Sequence, residues 1–155
     1  MQLNTENEDS QHSTIQCEMG VLTRSDGSAI VRQGETIVVA AIHGPTESKM
    51  QRMLIEKSNV EAHYRPKSGL PGVSDRFKES VIRNTCETIL MATLYPRSTI
   101  SVVIQEIQDC GELLACAINA ACLALLDSGI EMKFLYQTVS CSVSHYGHIH
   151  TRPVP

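Results

Sequence analysis

At 155 residues the chain is long enough for about one domain with a substantial core. It carries 13 Lys and Arg against 17 Asp and Glu, and 42% of it is hydrophobic, ordinary for a globular protein. With 4% aromatic residues and no Trp, the core must be aliphatic and stacking platforms for bases are scarce.

Residues 1–13, MQLNTENEDSQHS, have no apolar run and no Lys or Arg. They match neither a secretory signal nor a transit peptide, and a disordered cytosolic or nuclear N-terminus is expected. A strand is predicted from Thr14 to Leu22, an Asp-Gly turn within Thr23 to Ser28, and a returning strand from Ala29 to Gln33. After a turn at Gly34-Glu35, Thr36 to Ile42 is a β-branched run of the kind buried on both faces of a sheet, ended by Gly44-Pro45. Asn59 to Arg65 reads as a fourth strand, and Lys67 to Gly72 as a loop. Phe77, Val81, Ile82, Cys86, Ile89 and Leu90 then recur at helical spacing, which predicts an amphipathic helix over one sheet face, stopped by Tyr95-Pro96-Arg97.

Thr99 to Ile107 is a further apolar strand, followed by DCGELLACAINAACLALLDSG from Asp109 to Gly129. Between Leu113 and Leu126 only Asn119 is polar, so this helix must be buried nearly all round. Its roughly 21 Å fall short of the roughly 30 Å of a bilayer core, which disfavours a membrane span. Asp127-Ser128-Gly129 supplies a glycine stop. Met132 to Val143 is predicted as one or two final strands, completing the order β-β-β-β-α-β-α-β of an α/β (α+β) two-layer sandwich with a mixed sheet and a buried central helix.

Cys17, Cys86, Cys110, Cys116, Cys122 and Cys141 lack C-x-x-C spacing, and several sit in apolar segments, so buried free thiols are the better reading than a disulfide scaffold. His145, His148 and His150 have no Cys or carboxylate nearby to complete a metal set, and no metal or cofactor is expected. No Walker motif, dinucleotide fingerprint or nucleophile elbow occurs. Between positions 49 and 83, eight cations stand against four carboxylates, which puts that window at +4 in a chain whose whole charge is −4. Such a strip suits a polyanion path, and equally a solvated helix and loop face.

The segments TRSDGSAIVRQGETIVVAAIHGPTE, YRPKSGLPGVSDRFKESVIRNTCETI and STISVVIQEIQDCGELLACAINAACLALLDSGI resemble the RNase PH family, and within it the non-catalytic ring subunits of the eukaryotic RNA exosome. The resemblance covers Thr14 to Cys141 and places an RNase PH-like domain at 14–143. It implies a two-layer α/β fold in a six-subunit ring around an RNA channel, with other RNase PH-like subunits and single-stranded RNA as partners. Location in the nucleus and nucleolus, and also the cytoplasm, follows from it.

Phosphorolytic members carry D-G-G-T-R-T at the start of the central helix, whose Arg and following hydroxyl hold phosphate. Here that run is Asp109-Cys110-Gly111-Glu112-Leu113-Leu114, and the family's other phosphate-contacting Arg falls at Asn84, with Arg83 one position off. The resemblance therefore implies a degenerate phosphate site at Asn84, Leu113 and Leu114, no catalysis, and an RNA-guiding role for Arg65, Lys67, Arg76 and Arg83. The alternative is a phosphate-dependent or hydrolytic 3′ exonuclease acting as a homodimer. After Cys141 the family continues into a region that bears a catalytic Asp, whereas residues 144–155 here resemble nothing in it, as expected of a C-terminally shortened form.

Overall fold

A computed structural model describes residues 15–48, 50, 54–143 and 149–151. The elements are β1 (Ile15–Met19), β2 (Gly27–Gln33), β3 (Thr36–Glu47), β4 (Asn59–Arg65), α1 (Val73–Ile89), a 3-10 turn (Ala92–Leu94), β5 (Ser98–Gln108), α2 (Leu113–Ser128), β6 (Cys141–Val143) and β7 (Ile149–Thr151). Five strands form one mixed sheet in the order β1-β2-β3-β5-β4, with β4 parallel to β5 and the other pairs antiparallel.

Strand period places Ala29, Val31, Val38, Ala40, Ile42, Val60, Tyr64, Ile100, Val102 and Ile104 on one side of this sheet. Both helices share a single core with those residues, so the sandwich has two layers. On the other side of β3, Ile37, Val39 and His43 are half-buried and Ala41 is buried. Burial of β3 on its second face is thus partial, because both helices pack on the same side.

Helix α2 lies across β2 and β3 and buries ten of its sixteen residues, mostly Ala, Cys and Leu. Each fully buried large aliphatic side chain contributes about 1.5–3 kcal/mol relative to exposure. The small residues let the helix approach the sheet so closely that a Cβ at Gly27 would overlap the Ala124 carbonyl oxygen and the Ser128 amide nitrogen. Gly27 therefore belongs to β2 rather than to the expected Asp-Gly turn. Its neighbour Asp26 instead accepts a hydrogen bond at 2.7 Å from the Gly44 N–H. At the C-terminal end of α2, Gly129 takes φ +69° and closes the helix as expected, and Asp127 accepts the Ser28 N–H at 2.9 Å.

Other boundaries differ from expectation. β3 does not stop at Gly44-Pro45 but runs to Glu47 through a register shift between His43 and Thr46. Gly44 has φ +126°, and a Cβ there would lie 2.6 Å from the Thr99 carbonyl oxygen, so glycine is what lets the strand bend and continue. On α1, Ile82, Cys86 and Ile89 are buried as predicted, but Phe77 is 66% exposed. Of the cysteines only Cys86, Cys116 and Cys122 are buried. Cys17, Cys110 and Cys141 are exposed because they lie on an edge strand, in a loop and in the terminal hairpin.

The segment from Met132 to Thr138 does not form the predicted strand beyond one bridge, Leu90 to Met132. At two points its backbone is tied to the helices instead. Lys133 N–H donates to Ile89 O at 2.9 Å, and Asn119 on α2 both donates to Thr138 O at 3.0 Å and accepts from Thr138 N–H at 2.8 Å. Only Cys141–Val143 becomes a strand, paired with β7. His145 and His148 lie outside the described residues, and His150 is paired in the backbone ladder with Ser142.

The close approach at Gly27 generates a direct test. Gly27→Val forces β2 from α2 and should destabilise the fold by about 1–3 kcal/mol or more. Gly34→Val, at a turn where an added Cβ meets nothing within 4 Å but φ is +60°, should cost only the local backbone strain. Urea unfolding of the two variants checks this, and equal losses would show that the β2–α2 approach is not tight.

Candidate nucleic-acid interface

β4 reads Asn59-Val60-Glu61-Ala62-His63-Tyr64-Arg65, with polar and apolar residues alternating. Its period of two sends Val60 and Tyr64 into the core and sets Asn59, Glu61, His63 and Arg65 along the opposite side. On α1, Arg76, Ser80 and Arg83 recur at i, i+4 and i+7, which forms one stripe. The outer edge of β4 and this stripe border an open groove of about 510 Å³, lined by residues 59–63 of the strand and by Arg76, Ser80 and Arg83 among others. Arg76 also borders a neighbouring depression formed with Leu70, Pro71 and Glu79.

Tyr64 fixes strand and helix to each other. It is 1% exposed, its hydroxyl donates to Glu106 on β5 at 2.5 Å, and its backbone N–H donates to Glu79 of α1 at 2.9 Å. Burial first, and the Glu106 carboxylate second, push the Tyr64 hydroxyl well above the usual tyrosine range, so it stays a donor. The Lys78 ammonium lies 4.7 Å from the ring centroid and 3.3 Å from Asp75. Asp75 in turn accepts the Gly72 N–H at 2.9 Å at the start of α1. That bond, with Lys78 adding to it, holds the Asp75 carboxyl below its ordinary range.

The electrostatics of the groove are mixed. Arg76 and Arg83 are exposed on the helix wall, and Arg83 makes a loose 3.9 Å pair with Glu87, worth little in solvent. On β4 the Glu61 carboxylate accepts from the Asn59 amide at 3.3 Å and lies 3.8 Å from the His63 imidazole. Arg65 continues the strand past His63, and Lys67 follows in the exposed loop. Of the four cations singled out from sequence, Arg76 and Arg83 line this groove together with Glu61 and Glu79, whereas Arg65 and Lys67 do not line it.

Asn84, Leu113 and Leu114 do not line this groove. Leu113 is 5% exposed in the core, Leu114 packs against that core, and Asn84 is exposed on α1. Around the start of α2, Glu112 accepts from the Gln33 amide, Asp109 accepts the Gly111 N–H at 2.9 Å, and Cys110 N–H donates to Thr36 Oγ1 at 3.1 Å. Carboxylates thus occupy the neighbourhood of a helix N-terminus, where an anion would otherwise be favoured. Among the described residues no group of three His, Cys, Asp or Glu could hold a metal ion, and no helix is long and apolar enough to cross a membrane.

A second groove, of about 460 Å³, lies on the far side of α2. Ile15, Val31, Cys122, Leu123, Leu126 and Leu135 make it mainly apolar. Sequence reasoning selects the cations by charge excess and passes over Asn59, Glu61, His63 and Ser80. The signal for the first three is the strict alternation of β4, which marks a two-faced strand with a polar side.

Residues 11–131 match the family model described as the 3′ exoribonuclease family, domain 1, RNase PH. The chain is 39% identical over 135 residues to an Arabidopsis thaliana protein named exosome complex exonuclease RRP46 homolog, covering 87% of this chain and 56% of that one. It is 36% identical over 124 residues to the exosome complex component rrp46 of Schizosaccharomyces pombe, covering 79% and 55%. The chain thus spans a little over half the length of these curated relatives. Among solved structures, rice (Oryza sativa) Rrp46 superposes with a TM-score of 0.85 at 35% identity, over 90% of this chain and 67% of that one. An archaeal exosome core chain superposes at 0.62 with 18% identity, over 74% and 48%, which is a likeness of fold.

Proposed function

We propose, from the premise that this chain belongs to the RNase PH 3′ exoribonuclease family, that it is a non-catalytic, RNA-guiding ring subunit of the RNA exosome. In this role it supports 3′-to-5′ processing and degradation of RNA, ribosomal RNA included. The observation that supports the reading is the pair of exposed arginines, Arg76 and Arg83, on one groove of this family's fold, with Arg65 and Lys67 exposed at the end of β4 and in the loop after it. Exposed cations on a groove draw in a polyanion without reading its sequence. The partners are other RNase PH-like ring subunits and single-stranded RNA, and the sites of action are the nucleus, the nucleolus and the cytoplasm. Exposed Leu126 and Leu135 beside the apolar groove supply surface that burial against a neighbouring subunit would remove from water.

The non-catalytic part of the proposal rests on chemistry at the start of α2. Phosphorolysis needs inorganic phosphate held in line with the terminal linkage by cationic and hydroxyl donors. Leu113 and Leu114 provide neither, and Leu113 is committed to the core. Glu112 and Asp109 add negative charge where phosphate would sit. A second reading, a 3′ exonuclease acting as a homodimer, is favoured by the word exonuclease in the name of the Arabidopsis relative.

Reversing Arg65, Lys67 and Arg76 to Glu in the assembled complex should weaken RNA binding with little regard to sequence. It should also flatten the salt slope by about 2, near 0.7 for each single-strand phosphate that is no longer neutralised. Unchanged affinity at low salt would identify these as solvated surface charges.

For the chain itself, no phosphate-dependent release of nucleoside diphosphates from labelled RNA is expected. Leu113→Arg alone should not create it, because Leu114 and Asn84 remain and the new cation replaces a core side chain. Phosphate-dependent shortening by the wild-type protein, abolished on mutation of Asp109 or Arg83, would establish the exonuclease reading instead.

A further inference from the structure

β1 is the outermost strand of the sheet, and among the described residues its second edge has no partner. Its residues, Ile15-Gln16-Cys17-Glu18-Met19, include no Lys or Pro, and its ladder with β2 runs without a bulge. Edge strands are ordinarily protected by such devices, so this one is open to pairing.

The register decides which backbone groups face out. Met19 lies opposite Ala29, which sets Gly20 opposite Ser28, and the Gly20 N–H donates to Ser28 O at 2.9 Å. Hydrogen-bonded pairs alternate along an antiparallel ladder, so the groups of Gln16 and Glu18 are bonded to β2. Those of Ile15, Cys17 and Met19 therefore point away from the sheet. The side chains of the same three residues share the face of Val31, on the side of α2. Ile15 is 48% and Met19 57% exposed, and Ile15 and Cys17 line the apolar groove with Leu123, Leu126 and Leu135. Open backbone and open apolar surface thus run along one line.

We propose that this edge pairs with a second copy of the chain, β1 against β1, antiparallel about a two-fold axis at Cys17. This goes beyond the RNA-guiding reading and does not rest on it. In that register Cys17 stands opposite its own counterpart, and Ile15 of each copy stands opposite Met19 of the other. All three outward-facing residues then exchange both of their N–H···O bonds. On the α2 side, Ile15, Cys17 and Met19 of both copies meet and the two apolar grooves adjoin, which takes apolar surface out of water. On the opposite face, Gln16 of each copy falls beside Glu18 of the other, amide against carboxylate. A slip of one residue would set the open groups against Gln16 or Glu18, whose own groups are bonded to β2, so the register is specified.

Another extended peptide could lie on the same edge. The second copy is favoured because this strand is complementary to itself in backbone groups, in apolar side chains and in the contact of Gln16 with Glu18.

Sedimentation velocity of the full chain at micromolar concentration tests the proposal, together with a short bis-maleimide. A dimer is expected, and a covalent dimer with the cross-linker that Cys17→Ser removes and Cys110→Ser or Cys141→Ser does not. Cys17→Pro deletes an N–H that faces outward, so circular dichroism should be unchanged while the dimer dissociation constant rises about tenfold or more. Met19→Lys, which puts a charge on the exposed edge, should act in the same way. A wild type that stays monomeric overturns the proposal, as does a dimer that resists both Cys17→Pro and Met19→Lys. Cross-linking of Cys17 to another ring subunit in the assembled complex, with the isolated chain monomeric, overturns self-pairing and gives the edge to that neighbour.

Discussion

The close seat of α2 on β2 and β3 is the constraint on which the rest of the fold depends. Ala117, Ala120, Ala121 and Ala124, each under a tenth exposed, bring helix and sheet backbones near enough that Gly27 has no room for a side chain. Close packing of this kind is intolerant of added volume. It also fixes the ends of the helix. Asp127 accepts the Ser28 N–H at the entrance to β2, and Glu112 accepts from Gln33 at its exit. Asn119, the polar interruption in an otherwise apolar run, ties down the following segment through Thr138 rather than facing solvent.

With α2 occupying the middle, α1 is left to cover β4 at the rim of the sheet. The groove forms there, because a helix placed over an edge strand leaves a flank beyond the sheet. Tyr64 makes that placement definite, joining β4, β5 and α1 through one side chain and its own backbone amide. The groove is therefore bordered by elements whose inner sides are core. Replacing Tyr64 would disturb both at once.

Much of this architecture is legible in the residues, and the misses have physical causes. The four opening strands, β5 and both helices follow from apolar period and turn chemistry, and α2 announces itself by an unbroken small and apolar run. Gly44-Pro45 reads as a strand end because proline removes a donor, whereas a bulge beside Thr99 absorbs the pair and the strand resumes. Phe77 matches the apolar stripe of α1 but lies in its second turn, where it points out to solvent. Residues 132–138 have strand-like composition, but the backbone at Lys133 and Thr138 is tied to the end of α1 and to Asn119 of α2 instead of to a ladder. At the site, charge excess reveals the arginines and family resemblance supplies Asn84, Leu113 and Leu114. The strand side of the groove stays hidden because residues 59–63 border it only once β4 is placed at the sheet edge.

The central claim is that RNA follows the groove between β4 and α1. UV cross-linking of single-stranded RNA to the assembled complex, with the adducts located by peptide mass spectrometry, tests it most directly. The account predicts adducts within residues 59–67 and 70–83 of this chain, abolished when Arg76 and Arg83 are both changed to Glu. Adducts confined to β1, α2 or other subunits, and unaffected by those changes, would contradict it.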